Sequence, residues 1–351
     1  MIEIVELKGS PYEIGLKHGQ YFAKEIKELY KIRMDSAIGY AKIYGQGTSE
    51  GSIIKFANYC FSNIFNYDKS AIDELRGLSE GCGLKESQLI AMQGLTDFRD
   101  LMCFYDSSDE CTTLCIDKSK TKDNKMIVAQ TWDLATSNMP YVVGLKKSYN
   151  NGMKTCSLTV VGCPDMAGMN NFGICTLTNN LKSVNNRLGV PYLNILSKSL
   201  RENRISQSLK DIIGCDRVGG HYYLIADGEK SYGIECTADW SEIIKMKRGK
   251  IVHTNHYITD LKEYEYAQGN LSSISRYDTV NRLCNGTRHT YESVKKIFMD
   301  ESCGENSINR KDYDGISTNG SIIMIPDDRK LYLSRGYPDE ADWVEVNLNE
   351  D

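Results

Sequence analysis

The sequence predicts an α+β fold, with helices concentrated in its first third and short strands joined by polar turns after residue 110. Two observations carry this. Through residues 11–95, apolar and aromatic residues recur three and four apart, as at Ile14, His18, Phe22, Ile26, Leu29 and Tyr30, the spacing of one helix face. From Cys111 onward the apolar runs shorten, and turn signals such as Asp227-Gly228 and Asp327-Asp328 separate them, which favours antiparallel hairpins.

Within the helical third, helices are expected near Ile53 to Asn63 and Asp73 to Leu78, and another over Ser87 to Gly94 after the Gly-Cys-Gly break at 81–83. Strands are expected at Cys111 to Ile116, Met126 to Trp132, Thr155 to Val161, Ile174 to Thr178, Tyr222 to Ala226, Tyr232 to Cys236 and Ile251 to Thr254. Helical patterns return at Pro191 to Glu202, Ser206 to Ile213 and Ser275 to Met299, before a hairpin of Ile322 to Ile325 and Lys330 to Ser334. The chain therefore divides into a mainly helical segment, 1–110, and a β-rich core, 111–351. It shows no internal repeat, no G-x-G-x-x-G after a strand and no G-x-x-x-x-G-K-[ST], so no phosphate-cradling loop or nucleotide cofactor is expected.

At 351 residues, 41% hydrophobic and 25% charged, the chain is long enough to bury a full core. Its 42 basic and 47 acidic side chains leave a net charge of −5, which argues against nucleic acid as a partner. No apolar run approaches the roughly 18 residues of a membrane span. The opening MIEIVELKGS carries two glutamates and no apolar stretch, so a cytoplasmic, unexported protein is expected. Twelve cysteines include no C-x-x-C pair, which removes the usual structural-zinc signature, and most are read as small buried hydrophobes in a reducing compartment.

One cysteine stands apart. Cys111 opens the first strong strand after the helical region, an unusual place for a core thiol. If the polar loop 117–125 closes symmetrically, Cys111 lies opposite Thr131, with Asp133 a diagonal neighbour on the same face; the plainer reading makes Asp133 a strand-ending turn residue. A second polar cluster, His253-Thr254-Asn255-His256, ends a later strand. It lacks a third metal ligand and an H-E-x-x-H frame, so no metal is expected. Asn255 has instead the type of side-chain N–H that stabilises a developing oxyanion.

These blocks resemble a known family. Asp109 to Thr113 (DECTT), Gln130-Thr131-Trp132-Asp133, His253-Thr254-Asn255-His256 and Ser307-Ile308-Asn309-Arg310, with Gly9 to Gly15 and His18-Gly19 near the start, are similar to the penicillin acyltransferase family (acyl-coenzyme A:6-aminopenicillanic acid acyltransferase-like proteins) of N-terminal nucleophile (Ntn) hydrolases. The resemblance implies a four-layer αββα sandwich of two antiparallel sheets between helix layers. It also implies a precursor that cuts its own Glu110–Cys111 bond, making 1–110 a small subunit and 111–351 a large one. Carried over residue by residue, Cys111 becomes the nucleophile, Asn255 the oxyanion donor, Asp133 the carboxylate orienting the nucleophile or its amine, and Arg310 a substrate-binding residue whose other reading is a surface ion pair. The implied reaction is cleavage or transfer of the acyl group of a small linear amide through a Cys111 thioester, without cofactor. Besides the small-molecule amide, a second copy of the chain is the only partner entertained.

Glu110 departs from the glycine that the family's best-known members carry before the cysteine, and glycine eases a strained scissile backbone. Two rival readings follow: an unprocessed papain-like hydrolase using His253 or His256 as base, and a non-catalytic member that binds a ligand without turnover.

Overall fold

In the computed structural model, which describes residues 1–43, 47–102, 110–266, 270–285 and 288–350, two sheets face each other and helices cover both outer surfaces, giving four αββα layers. In chain order the strands are β1 (Ile4–Gly9), β2 (Glu110–Ile116), β3 (Ile127–Ala135), β4 (Val142–Tyr149), β5 (Lys154–Val160), β6 (Ala167–Asn170), β7 (Cys175–Asn180), β8 (His221–Ala226), β9 (Ser231–Cys236), β10 (Ser241–Ile244), β11 (Lys250–His253), β12 (Ile316–Ile325), β13 (Lys330–Arg335) and β14 (Trp343–Asn347). The α-helices are α1 (Pro11–Tyr21), α2 (Ala23–Ile43), α3 (Glu50–Tyr67), α4 (Lys69–Cys82), α5 (Glu86–Gln93), α6 (Leu95–Leu101), α7 (Tyr192–Leu200), α8 (Ile205–Ile213), α9 (Leu271–Leu283) and α10 (Tyr291–Phe298).

One sheet runs β1-β4-β5-β6-β7-β8-β9-β10, and the other β11-β2-β3-β12-β13-β14. Strand β2 is buried along its whole length because both of its faces are covered. Cys115, Val128 and Met324 point into the space between the sheets with Leu158 and Leu177. Leu114, Ile116, Ile127 and Ala129 pack outward against Val280, Val294 and Phe298 of α9 and α10. This period-two division is what alternating side chains on a doubly covered strand produce.

Local signals account for the helix ends. Ser10 caps α1 with a reciprocal capping box to Glu13, and Gly83, at φ +76°, ends α4 in the left-handed conformation, within the expected Gly-Cys-Gly break. Helices α1 and α4 cross backbone to backbone, because Gly15 and Gly19 of one meet Gly77 and Gly81 of the other; a Cβ at Gly15 collides with the Glu74 carbonyl, and one at Gly77 with the Tyr12 carbonyl.

Tertiary pairing overrides several expectations. Strand β1 lies in the supposedly helical third and pairs parallel with β4, Ile4 opposite Gly144 and Gly9 opposite Tyr149; nothing local in the sequence announces so distant a partner. Strands β4, β6, β10 and β14 were also not expected. The helical pattern of Ser275 to Met299 is two helices with a break, and it begins earlier, at Leu271.

Candidate active site

The β2–β3 hairpin decides the geometry around Cys111. Ile116 pairs with Ile127, so ten residues rather than nine lie between the paired ends, and Cys111 is opposite Trp132 while Glu110 is opposite Asp133. The expected pairing of Cys111 with Thr131 is corrected by one residue. The loop does not close symmetrically because it is held from outside: Asp117 N–H donates to the Gly249 carbonyl and Lys122 N–H to the His289 carbonyl, both at 2.8–2.9 Å, and Met126 N–H donates to Asp327 Oδ2 at 3.1 Å. A one-residue slip exchanges the faces of a strand, so Asp133 is not on the Cys111 face.

Cys111 faces the space between the sheets and is 5% exposed. With Trp132, Gln130 and Asn180 it lines a cavity of about 120 Å³ whose other wall comes from the N-terminal helices, including Arg33, Phe98 and Arg99. Gln130 Nε2 donates to the Thr178 carbonyl, which ties this wall across to the second sheet. Arg33 reaches Asn138 Oδ1 at 3.0 Å and the Met92 carbonyl at 2.9 Å.

Asn255 lies at the other side of Cys111. Its Oδ1 accepts from Cys111 N–H at 2.8 Å and from Arg276 Nη2 at 3.1 Å, while its Nδ2 donates to the Asn180 carbonyl at 3.0 Å. Asn255 N–H donates to Ser273 Oγ at 2.7 Å, so both its backbone and its amide are held.

The opposite face of β2 carries the charges. Glu110 Oε2 accepts from Ser272 Oγ at 2.6 Å and lies 2.9 Å from Arg310 Nη1 and 3.4 Å from Arg276 Nη2. Fully buried Arg276 also donates to the Cys111 carbonyl at 2.6 Å and to Thr112 Oγ1 at 3.0 Å. Asp133 is fully buried. Burial pushes its carboxyl up to about 7, against the pull of the Arg276 guanidinium, Thr318 and Arg310, with Glu110 adding to the rise. Arg310 is thus not on the surface: it is held by its N–H to Thr318 Oγ1 at 3.0 Å and faces Glu110.

The two histidines face elsewhere. His253 stacks on Tyr222 at 3.8 Å, with Nε2 2.8 Å from Glu235 Oε1 and Nδ1 2.7 Å from the Thr254 carbonyl. His256 Nδ1 is 2.7 Å from Ser273 Oγ, and burial lowers its pKa to about 4. Among the described residues no group of three or more His, Cys, Asp or Glu is arranged to hold a metal ion, and no helix is long and apolar enough to cross a membrane.

The structure thus brings Cys111, Asn255, Glu110, Asp133 and Arg310 into one region, on two faces of β2. Asp109 of the DECTT block lies outside the described residues. The residues missed from the sequence are Ser272 and Arg276. Their i, i+4 spacing behind Asn270, the α9 N-cap, is the signal for a shared helix face, but the expected helix began at Ser275 and cut the pair apart.

No curated protein sequence matches the chain. Among solved structures, a variant of the conjugated bile acid hydrolase from Clostridium perfringens superposes with a TM-score of 0.50 at 14% identity, over 69% of this chain and 93% of that one. Penicillin V acylase from Agrobacterium tumefaciens gives 0.43 at 10% identity, over 68% and 86%. The first likeness agrees with the αββα architecture of Ntn hydrolases. The family described as acyl-coenzyme A:6-aminopenicillanic acid acyl-transferase matches residues 119–339, a stretch that starts after Cys111 and contains Asp133, Asn255 and Arg310. By that match over most of its length, the chain belongs to the acyl-coenzyme A:6-aminopenicillanic acid acyl-transferase family.

Proposed function

We propose that the protein is a self-processing cysteine amidohydrolase or acyltransferase that acts on a small linear amide through Cys111. The observation that carries this is the bond from Cys111 N–H to Asn255 Oδ1 beside the cavity: the site holds the main-chain nitrogen of the thiol residue.

In the first step the Cys111 thiol adds to the Glu110 carbonyl carbon. The Glu110–Cys111 C–N bond breaks, the nitrogen takes a proton, and water hydrolyses the resulting thioester to a Glu110 carboxylate and a Cys111 thiol. Cys111 then carries an α-amine next to its own thiol, so one residue supplies both base and nucleophile. Turnover repeats the attack on an external amide: Asn255 holds the tetrahedral oxyanion, the amine departs, and water or an acceptor amine resolves the thioester. Asp133, opposite Glu110 in the hairpin, flanks the new chain end and orients its amine. The apolar walls at Phe98, Trp132 and Leu134 suit an apolar acyl group. Segment 1–110 serves as the small subunit and supplies one of these walls.

Both ring nitrogens of His253 and Nδ1 of His256 are engaged elsewhere, which favours this reading over a papain-like pairing of Cys111 with either of them. Denaturing intact mass spectrometry tests it. Wild type is expected to yield fragments of roughly 12 and 27 kDa from the 39.6 kDa chain, with Cys111 as the new terminus. The Cys111→Ala variant is expected to stay whole. A single full-length species from both removes the self-processing reading.

A further inference from the structure

The cavity beside Cys111 carries a guanidinium at some distance from the thiol. Trp132 stands opposite Cys111 on β3, and Trp132, Leu134 and Ala135 all line the cavity. At about 3.3 Å per residue, Ala135 lies roughly 10 Å along the strand from Trp132. The Ala135 carbonyl accepts from Asn138 Nδ2 at 3.2 Å, which leaves Asn138 Oδ1 to accept from Arg33 Nε at 3.0 Å. Both Asn138 and Arg33 line the cavity, so the cation sits beyond the apolar walls of Trp132 and Leu134.

Arg33 is half-buried on α2, and every group that holds it is uncharged: Asn138 Oδ1, the Met92 carbonyl at 2.9 Å and Cys163 Sγ at 3.5 Å. These contacts use Nε and Nη1. Among the described residues no carboxylate pairs with the guanidinium, and Nη2 has no hydrogen-bond partner. Arg99, on the same wall, has the Asp100 carboxylate 3.9 Å away. A charge drawn partly out of water is costly without a counter-charge, and Nη2 presents N–H donors of the kind that bind carboxylates most strongly.

We propose that Arg33, set in place by Asn138, binds a carboxylate at the far end of the substrate's acyl group. The preferred substrates are then half-amides of dicarboxylic acids, with the amide carbonyl at Cys111, an apolar chain along Trp132 and Leu134, and a free carboxylate at Arg33. This rests on the amidohydrolase reading above and names its acyl group. It also gives segment 1–110 a task after the cut, because the residue that selects the acyl end belongs to the small subunit and the nucleophile to the large one.

Turnover is measured on mature wild type with the 4-nitroanilide half-amides of succinic, adipic and suberic acids, each beside the neutral alkanoyl anilide of the same length. At the best length the carboxylate is expected to raise kcat/KM by roughly tenfold to a hundredfold, mainly through KM. Arg33→Gln, which keeps an N–H for Asn138 but removes the charge, is expected to bring that ratio towards one, and Arg33→Lys to keep part of it. A purely structural Arg33 would lower both anilides together and leave the ratio intact. A ratio unmoved in Arg33→Gln overturns the proposal, and so does equal or better use of the neutral anilides at every length, whether or not the variant folds. Should wild type stay whole and turn nothing over, the amidohydrolase reading fails, and binding decides the carboxylate site separately. Full-length Cys111→Ala is then melted with the diacid monoamides and with the neutral alkanamides at equal ionic strength. A monoamide is expected to raise the thermal midpoint by roughly 2–5 °C over its alkanamide, and Arg33→Gln to abolish the difference; equal responses overturn the site.

Discussion

The backbone N–H of Cys111 donates to Asn255 Oδ1 at 2.8 Å, and the same oxygen accepts from Arg276 Nη2 at 3.1 Å. One side-chain amide therefore receives the nitrogen of the thiol residue and a buried guanidinium together. Its oxygen is fixed towards them, and its Nδ2 is turned to the Asn180 side.

This bipolar use of Asn255 separates two substitutions. Asn255→Ala removes donor and acceptor, and turnover is expected to fall by roughly 10²–10³. Asn255→Asp keeps an acceptor for Cys111 N–H and Arg276 but loses the N–H donor, so processing is expected to survive better than turnover. Single-turnover kinetics with mass analysis of the same preparations compares the two steps; equal retention of turnover in both variants removes Asn255 as the oxyanion donor.

Arg276 couples the two faces of β2, since it touches Glu110, Cys111, Thr112, Asn255 and Ser272. In the uncleaved Cys111→Ala background, Arg276→Met strands the buried Glu110 carboxylate beside one remaining arginine and is expected to cost about 3–5 kcal/mol. Adding Glu110→Gln should recover part of that loss, because the charge needing a partner is gone. Urea unfolding of the four corners of the cycle measures the coupling; additive losses show that the two residues do not depend on each other.

Asp133 gives stability a pH dependence of known sign. Its carboxyl is raised by burial from 3.8 to about 7, so between those values the unfolded chain has released a proton that the folded chain retains. Folding stability then falls as pH rises from about 4 to 7 and levels off above. Asp133→Asn, neutral at every pH, is expected to flatten that slope and to be the more stable form at pH 8 by about 2–4 kcal/mol. Denaturation midpoints of both forms at pH 5 and 8, again with Cys111→Ala, check this; parallel pH profiles count against a protonated Asp133.

His18 acts in the other direction. Fully buried, it accepts the Gly162 N–H at Nε2 at 3.0 Å, and burial, with nearby Lys147, lowers its pKa to about 3. Below pH 6.5 the unfolded chain gains a proton that the folded chain refuses, so stability is lost as pH falls from 6.5 towards 3. In cleaved protein, acid should therefore loosen segment 1–110 from 111–351, since His18 lies on one side of the cut and Gly162 on the other. The Glu74–Lys147 pair at 2.6 Å crosses the same boundary. Size-exclusion chromatography at pH 7 and pH 4.5 is expected to show co-elution and then partial separation, reduced by His18→Gln; co-elution unchanged at both values excludes His18 as the acid-sensitive contact.

Much of this was legible in the chain. The three- and four-residue spacing from Ile14 to Tyr30 specified helix, the run from Cys111 to Ile116 specified strand, and the Gly-Cys-Gly break at 81–83 specified a helix end, because each depends on neighbours a few residues away. Tertiary structure alone decided the face of Asp133, the parallel partner of β1 and the meeting of Glu110 with Arg276 and Arg310. Hairpin register is a contest between a local loop and whatever holds it, and here Gly249, His289 and Asp327, all distant in sequence, settled it by one residue. That residue moved Asp133 to the opposite side of the sheet from Cys111. A buried arginine is likewise invisible in a sequence, where its charge reads as surface; only packing that removes water and brings up a carboxylate gives it a partner.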